Sequence, residues 1–275
     1  MQKIYKLTAF YKTKTGGNKA GVYINADNLK DEDCQKIAKE VGYSETAFVS
    51  KSEIADFKVR FFTPKNQVDL CGHATIATFN LLRDLKIIKP NNIYTQETKA
   101  GILQIDVKHD IVFMQQPKPI YSDIIPKENL KKYFKNIEFS DVLQPQIIST
   151  GLREIFLPIK NNTVLNQLIP NFEAIKQLSI KHNVIGIHAF ALAQKVDAYG
   201  RNFAPLIGIN EESATGTSNG ALACYLYKYD NEKNKFILRQ GYSMNQPSEI
   251  ISKLKTHNQK IIEVWVGGKA RIINE

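Results

Sequence analysis

The sequence has few of the patterns that mark metal centres, disulfide-bonded domains or membrane spans. Its three cysteines, Cys34, Cys71 and Cys224, are far apart and form no CxxC pair, so we expect neither a disulfide framework nor a zinc site. Five histidines show no HExxH or other ligand spacing. No apolar run approaches the roughly 20 residues that cross a bilayer, and the N-terminus lacks the pattern of a signal peptide. The sequence therefore predicts a cytoplasmic protein with no membrane contact, no metal and no other cofactor.

The chain also lacks a basic segment of the kind that binds nucleic acid. Its formal net charge is +10, from 37 Lys and Arg against 27 Asp and Glu, but the lysines are spread along the chain with acids between them. No basic run is interleaved with aromatic residues, as a single-strand binding surface requires. We therefore expect no nucleic-acid partner, and the positive charge favours attraction of a small anionic molecule.

The length and composition of the chain fit an ordinary folded protein of one large domain or two smaller ones. The chain has 275 residues, 43% of them hydrophobic, which is enough for a sizeable core. Residues 116–119, QPKP, interrupt the pattern and are the expected linker. Helical periodicity predicts helices over 31–41 and 171–182, after the turn at 71–75, and after the turn at 214–220 as far as Tyr229, with a polar helical segment over 122–139. Apolar runs predict strands over 4–10, 20–24, 46–49, 57–62, 93–98, 101–108, 111–115, 146–150, 153–158, 185–193, 196–203, 236–240, 261–266 and 270–273.

Residues 60–82 have the features of a helix start that is suited to an anion. A strand ends at Thr63-Pro64, a polar loop follows, and the small-residue turn Cys71-Gly72-His73-Ala74 leads into an apolar helical pattern. The first N–H groups of a helix have no partner inside the helix, and the helix dipole is positive there. This stretch therefore predicts a site for a carboxylate.

A second stretch repeats the first. Arg60-x-Phe62-x-Pro64 is matched by Arg201-x-Phe203-x-Pro205, and one register places QVDLCGHATIATFNLL over EESATGTSNGALACYL. The repeat predicts two similar domains, each supplying a helix start to a cleft between them, where small-molecule sites concentrate.

Glu45 and His73 are the candidate catalytic residues. Glu45 lies in a predicted short connector, where an exposed loop acid is the simpler interpretation. A carboxylate sheltered between domains would have its pKa raised towards neutrality and would both take and return a proton. His73 is either a histidine whose ring is hydrogen-bonded within the protein at the helix start, or a group that reaches the ligand.

Other residues at the two helix starts are candidates for substrate binding. Gly72 and Gly216 allow close backbone approach. Thr217 and Ser218 are suited to capping their helix or to binding a substrate carboxylate. Glu212 would stabilise a helix start or receive an ammonium or hydroxyl group of the substrate.

Cys71 tests a rival mechanism, amino-acid racemisation or epimerisation by two facing thiols. The repeat places Thr215 opposite Cys71, so the second thiol is missing, and Cys224 lies about two turns inside its helix. We therefore interpret Cys71 as a buried small residue.

Several motifs together resemble the phenazine-biosynthesis PhzF-like family. They span nearly the whole chain: GN at 17–18 followed by AGV, SETAFV at 44–49, FTP at 62–64, LCGHAT at 70–75, RxFAP at 201–205, TGT at 215–217 followed by GAL, and WVGGxA at 265–270.

The resemblance implies an α+β fold like that of diaminopimelate epimerase. This fold has two pseudo-symmetric domains, each a curled, mostly antiparallel sheet around a central helix. The expected domains are 1–116 and 117–267, with the last strand, about 268–275, returning to the first domain. A homodimer is the family expectation.

The resemblance also implies an isomerase without a cofactor, in which Glu45 shuttles a proton and His73 lies beside the substrate. Asn18 and Ala74, which belong to the matching motifs, are expected to join the substrate-binding residues. The chain departs from the family at Gln67, Glu212 and Thr217 and at 245–248, so the family's dihydro-hydroxyanthranilate substrate is not assigned. We predict proton transfer on a small carboxylate-bearing substrate. The alternatives are a racemase or epimerase that uses Cys71 and a catalytically silent ligand-binding homologue.

Overall fold

The computed structural model of the chain describes residues 3–273, and its fold is α+β, as predicted. Within this range the α-helices are α1 (Asp31–Val41), α2 (Gly72–Asp84), α3 (Asn162–Gln167), α4 (Phe172–His182) and α5 (Gly216–Tyr229). Short 3₁₀ helices cover Lys127–Tyr133, Pro205–Ile207 and Tyr242–Met244. The strands are β1 (Ile4–Ala9), β2 (Asn18–Ile24), β3 (Glu45–Ser50), β4 (Phe57–Phe62), β5 (Gln67–Val68), β6 (Asn92–Thr98), β7 (Gly101–Val107), β8 (Val112–Gln116), β9 (Ile120–Ile124), β10 (Phe134–Lys135), β11 (Gln146–Ser149), β12 (Arg153–Pro158), β13 (Ile169–Pro170), β14 (Gly186–Leu192), β15 (Ala198–Ala204), β16 (Ile209–Glu212), β17 (Lys235–Gln240), β18 (Ser248–His257), β19 (Lys260–Gly268) and β20 (Ala270–Ile272).

The chain divides into two compact units. The first unit runs to Tyr11, continues over Gly17–Gln115 and resumes at Gly267. The second contains Lys12–Gly16 and Gln116–Val266. The C-terminal strand β20 pairs antiparallel with β1, which ties the end of the chain to the first unit. Residues 274–275 of the predicted returning segment lie outside the described residues.

Strand pairing in the first unit is mixed. Strand β2 pairs antiparallel with β1 and parallel with β3, and α1 connects β2 to β3. Strand β4 pairs antiparallel with β3 and β5 and parallel with β6, and α2 lies between β5 and β6 in sequence. Strand β7 then pairs antiparallel with β6.

The second unit repeats this order of elements and pairings. Strand β12 pairs antiparallel with β11 and parallel with β14, and α4 lies between them in sequence as α1 does in the first unit. Strand β15 pairs antiparallel with β14 and β16 and parallel with β17, and α5 follows β16 as α2 follows β5. The repeat predicted from sequence is therefore also a repeat of topology.

The two repeated arginines have matching structural roles. The Arg60 guanidinium donates to Asp31 and to the backbone carbonyls of Ala26 and Leu29. The Arg201 guanidinium donates to both carboxylate oxygens of Glu211 and to the backbone carbonyls of Leu165, in α3, and Leu168, which follows α3. Each arginine thus ties neighbouring backbone of its own unit to its strand.

Helices α2 and α5 are the central helices of their units. Every residue from His73 to Leu82 of α2 is buried, and so are almost all residues from Gly216 to Tyr227 of α5. A helix that is apolar or small on all faces is typically surrounded by protein. Helix α1 instead buries one face through Cys34 and Ala38 and ends at Gly42, whose positive φ of 71° closes the helix as predicted.

The sequence prediction was wrong for the polar segment 122–139. Strand β9 begins the segment and pairs with β11, and a 3₁₀ helix follows at Lys127–Tyr133. Pro126 precedes this turn, and residues before a proline avoid helical conformation, so one continuous helix does not form. Strands β5, β9, β10, β13, β16 and β18 and helix α3 were not predicted. Strand β18 alternates buried and half-buried residues, but two of its buried positions are the serines Ser248 and Ser252, and the apolar Ile251 lies at a half-buried position.

Candidate active site

In the first unit, a buried group of polar side chains forms where two strands and a helix begin. Strands β2 and β3 are parallel, so their first residues lie at one edge of the sheet, with Ala20 directly opposite Glu45. Helix α2 begins at the same place. The structure therefore brings Asn18, Glu45 and His73 together although they are distant in sequence. Glu45 is the first residue of β3 and does not belong to the preceding connector.

Glu45 and His73 are in direct contact. The Nε2 atom of His73 lies 3.2 Å from Oε2 of Glu45, and the two side chains are 5% and 13% exposed. The Ser44 hydroxyl lies 3.3 Å from the same Nε2 atom. On the other side of the ring, Nδ1 lies 3.2 Å from the Asn18 amide and 3.4 Å from the Cys71 sulfur. The imidazole is therefore held on both of its nitrogens.

The environment gives the pair a defined charge state. Burial by itself would raise the pKa of Glu45, but the His73 charge and hydrogen bonds from His73, Ser44 and Cys71 lower it below its ordinary value. Burial opposes a charged His73 ring, yet the Cys71 sulfur and the Glu45 carboxylate raise the pKa of His73 well above its ordinary value. The expectation of a raised pKa for Glu45 was wrong, because a cationic partner outweighs burial. Both shifts favour the ion pair, in which a carboxylate faces an imidazolium.

A protonated His73 needs an acceptor at each ring nitrogen. Glu45 lies at Nε2. At Nδ1 the Asn18 amide nitrogen faces the ring, so Asn18 becomes an acceptor there when its amide turns over, and the Cys71 sulfur is a weaker acceptor. The structure places Asn18 beside the His73 ring, and its expected contact with the substrate stays a prediction.

The first turn of α2 itself contains no acidic residue and no side-chain cap, since its N-cap, Cys71, makes no capping hydrogen bond. Helices α1 and α4, in contrast, have acidic residues in their first turns. A Cβ at Gly72 would meet only the end of the Met114 side chain, at 3.6 Å, so packing does not demand glycine there. These features suit a helix start that meets an anion.

Cys71 belongs to this group and does more than pack. Its thiol bonds to Glu45, and the sulfur lies 3.4 Å from Nδ1 of His73. Burial, followed by the nearby Glu45 charge, raises the pKa of the thiol to about 11. A neutral thiol is a poor base and a poor nucleophile.

Glu45, Cys71 and His73 also form a candidate metal-ligand group among the described residues, with ligand atoms within 4.8 Å of one another. A metal would require a thiolate and a neutral imidazole. Here burial raises the pKa of the thiol and the neighbouring groups raise the pKa of the ring, and both shifts oppose the forms that bind a metal.

The remaining predicted residues lie in the second unit. Gly216, Thr217 and Ser218 are the first three residues of α5, which also has no acid in its first turn and no side-chain cap. The N-cap is Thr215, and its hydroxyl donates to Glu212. Gln240 supports this turn by accepting from the Thr215 N–H and donating to the Glu212 carbonyl. The Ser218 side chain is buried and bonds to Asn202.

The sequence suggested no role for Ser44, which directly precedes the candidate base and contacts His73. Cys71 was interpreted as a buried small residue. It is buried, and as the N-cap of α2 it also lies next to the His73 ring.

A family comparison identifies the chain. The model for phenazine biosynthesis-like proteins, PhzC-PhzF, matches residues 7–275. The chain belongs to the PhzC-PhzF family. An uncharacterized isomerase of Clostridium acetobutylicum is 37% identical, covering 98% of this chain and 95% of that protein. The crystal structure of a PhzF-family phenazine biosynthesis protein of Bacillus anthracis is 30% identical, with a TM-score of 0.89 over 98% of this chain and 96% of that one.

More distant neighbours of this family member show the fold. A probable proline racemase of Agrobacterium radiobacter has a TM-score of 0.67 at 12% identity, covering 98% of this chain and 90% of that one. The predicted pseudo-symmetric, epimerase-like fold is confirmed, and the names of the family relatives confirm the predicted enzyme class, isomerase. No helix among the described residues is long and apolar enough to cross a membrane.

Proposed function

We propose that the chain is a cofactor-independent isomerase that moves a proton on a small carboxylate-bearing substrate, with Glu45 as the general acid and base. The contact between the ionised Glu45 carboxylate and the His73 imidazolium at the start of α2 carries this proposal. A carboxylate that is already ionised accepts a proton without first losing one. His73 lies 3.2 Å from one of its oxygens, Oε2.

In the first step, Glu45 removes a proton from a carbon next to an unsaturated or carboxylated carbon, and the C–H electron pair passes into the substrate. The developing negative charge needs hydrogen-bond donors and a positive field in place before the reaction. The uncapped N–H groups at the start of α2 supply both. In the second step, the protonated Glu45 returns the proton to a different carbon, or to the opposite face of the same carbon.

His73 has a supporting part in both steps. While it remains protonated, its Nε2–H donates to Glu45 and lowers the basicity of the carboxylate. As Glu45 takes the proton, this hydrogen bond weakens, and Ser44 offers Nε2 a second partner. His73 thus keeps Glu45 ionised at rest and oriented while it is protonated.

The substrate carboxylate is proposed to bind at uncapped helix starts. Both α2 and α5 lack acidic residues in the first turn and a side-chain cap. The candidate contacts are Gly72 and Ala74 in the first unit and Gly216, Thr217, Ser218 and Glu212 in the second. The homodimer stays a prediction, to be checked by light scattering.

Exchange of carbon-bound hydrogen in D₂O tests this function. A panel of small carboxylic acids with activated C–H bonds is incubated with the protein and followed by proton NMR. We expect at least one acid to lose its signal with wild type, and Glu45→Gln to slow this loss by roughly a hundredfold or more. Glu53→Gln is the matched control, because Glu53 is an exposed acid of the same unit. Exchange by Glu45→Gln at the wild-type rate would show that Glu45 is not the base.

A further inference from the structure

The second unit contains a buried acid that the proposed reaction does not use. Glu154, on β12, is 1% exposed, and its Oε1 atom accepts from the Asn202 amide at 2.7 Å. It also bonds to the Ser218 hydroxyl. The Asn202 amide lies 3.1 Å from the Ser218 oxygen and 3.3 Å from Nδ1 of the buried His188. Glu154, His188, Asn202 and Ser218 form a polar cluster directly beneath the first turn of α5.

The internal repeat places Glu154 at a position related to that of Glu45 in the first unit. When Phe62 is matched to Phe203 through strand pairing, Glu45 corresponds to Gly186, and Ala20, which lies opposite Glu45, corresponds to Glu154. A Cβ at Gly186 would lie 2.0 Å from the Phe203 carbonyl oxygen, so that position has no room for a side chain. The second unit therefore places its carboxyl group one strand away, still next to the start of its central helix.

Packing stability does not explain the cluster. Phe156 lies two residues after Glu154 on β12, and Phe190 lies two residues after His188 on β14. Both phenylalanines belong to the apolar core that includes α5. Side chains two residues apart on a strand share a face, so the polar cluster occupies positions on the same side of the sheet as this core. Gly200 on β15 makes room for the His188 ring, since a Cβ there would lie 2.7 Å from Nε2. A buried polar cluster costs stability compared with an apolar one. Its position beneath a helix start points to a role at that start.

We propose that Glu154 is a positioning residue for the start of α5, and that its protonation state sets the direction in which the Ser218 hydroxyl donates. This proposal rests on the proposed function, in which that helix start binds a carboxylate. When Glu154 carries a proton, its O–H donates to the Ser218 oxygen, and no negative charge lies beneath the helix start. When Glu154 is ionised, Ser218 donates to it, and a negative charge lies beneath the anion site.

The groups around Glu154 favour a change of state near neutral pH. Burial raises the pKa of Glu154 to about 7, hydrogen bonds from Ser218 and Asn202 oppose this rise, and the Glu212 charge on β16 adds to it. Burial lowers the pKa of His188, on β14, to about 3, so that ring stays neutral. Carboxylate binding at α5 should therefore weaken as the pH rises through neutrality.

Backbone amide NMR of the full-length protein tests the positioning role without any ligand. The amide signals of Gly216, Thr217 and Ser218 should titrate in wild type with a midpoint near the pKa of Glu154, about 7. Glu154→Gln imitates the protonated acid and should abolish this transition. Glu173→Gln, an exposed acid at the start of α4, should leave it intact. An unchanged transition in Glu154→Gln would overturn the proposal.

A second variant keeps the test valid if Glu154→Gln does not fold. Ser218→Ala removes the hydrogen bond between residue 218 and Glu154 but keeps the acid. The pH-dependent shift of the α5 amide signals should therefore shrink. The infrared carbonyl band of protonated Glu154 should still disappear near neutral pH. Amide shifts that titrate as before in Ser218→Ala would also overturn the positioning role.

Binding of benzoate then separates this proposal from the proposed function. We expect the wild-type dissociation constant to rise roughly three- to tenfold between about pH 6 and pH 8.5, and to stay nearly constant in Glu154→Gln. A benzoate affinity with the same pH dependence in both proteins contradicts the positioning role. If benzoate does not shift the α5 amide signals at any pH, α5 does not bind a carboxylate as the proposed function requires. The titration without ligand still decides the role of Glu154 in that case.

Discussion

His73 and Glu45 face each other at the start of α2, with Nε2 of the ring 3.2 Å from Oε2 of the carboxylate. The two residues are 28 positions apart in sequence, and the parallel pairing of β2 and β3 together with the start of α2 brings them together. Their mutual stabilisation favours an ionised base and a protonated histidine inside the protein.

Removing His73 should weaken the fold in a pH-dependent way. A histidine whose pKa is raised on folding stabilises fully below its unfolded value of about 6.5, and this stabilisation is lost as the pH rises through the folded value. Glu45, whose pKa is lowered, stabilises above about 4.5 and less in acid. His73→Gln should therefore cost most near pH 5–6, about 3 kcal/mol, and clearly less near pH 10. Urea unfolding at both pH values measures this, and an equal loss at both would contradict a charged pair.

Gly72→Ala should impair function without harming the fold. The added Cβ meets only the flexible end of Met114, but it occupies the space where a ligand would approach the helix start. We expect an unchanged melting temperature and an increase in KM of roughly tenfold or more.

Gly220→Ala is the matched comparison, because its Cβ would lie 2.1 Å from Oε1 of Gln116. That variant should lose about 1–3 kcal/mol of stability. If Gly72→Ala kept full activity, the start of α2 would not contact the substrate.

The native protein should resist thiol alkylation. Cys34, Cys71 and Cys224 are all buried and free, and burial raises the pKa of each thiol, to about 11 for Cys34 and Cys71. Iodoacetamide near pH 7.5 should therefore label the folded chain slowly and the urea-unfolded chain quickly. Cys71→Ala should keep activity within about tenfold, because the thiol only supports its neighbours. Rapid inactivation by alkylation at Cys71 would favour the thiol-based racemase.

The two repeated arginines should contribute unequally to stability. Arg201 and its partner Glu211 have side chains 7% and 15% exposed, whereas Asp31, the partner of Arg60, is 59% exposed. Arg201→Ala leaves a mostly buried carboxylate unpaired and should cost about 3–5 kcal/mol. Arg60→Ala leaves a solvated one and should cost about 1–2 kcal/mol. Chemical denaturation compares them, and equal losses would show that the buried pair has no special role.

Local patterns in the sequence were enough for the central framework. The repeated Arg-x-Phe-x-Pro segments located β4 and β15, and the small-residue turns located the starts of α2 and α5. Helix α1 followed from its leading acids, its apolar face and Gly42. Such features act within a few residues, so one sequence displays them directly.

Features that depend on distant partners could not be predicted in this way. The pKa of Glu45 falls because His73 reaches it, and the expectation from burial alone had the opposite sign. The cluster of Glu154 and Ser218 joins residues 64 positions apart that no motif connects. Strand β18 was missed because serines occupy two of its buried positions and Ile251 a half-buried one, so its apolar residues do not alternate in sequence.

The charge state of the Glu45–His73 pair can be measured directly by nitrogen-15 NMR of the histidine side chains, with His73→Gln to assign the signals. Wild type should show both ring nitrogens of His73 protonated at about pH 7.5, where an ordinary histidine is mostly neutral. In Glu45→Gln the same ring should be neutral at that pH. A neutral His73 ring in wild type at about pH 7.5 would contradict the carboxylate–imidazolium pair on which the proposed proton transfer depends.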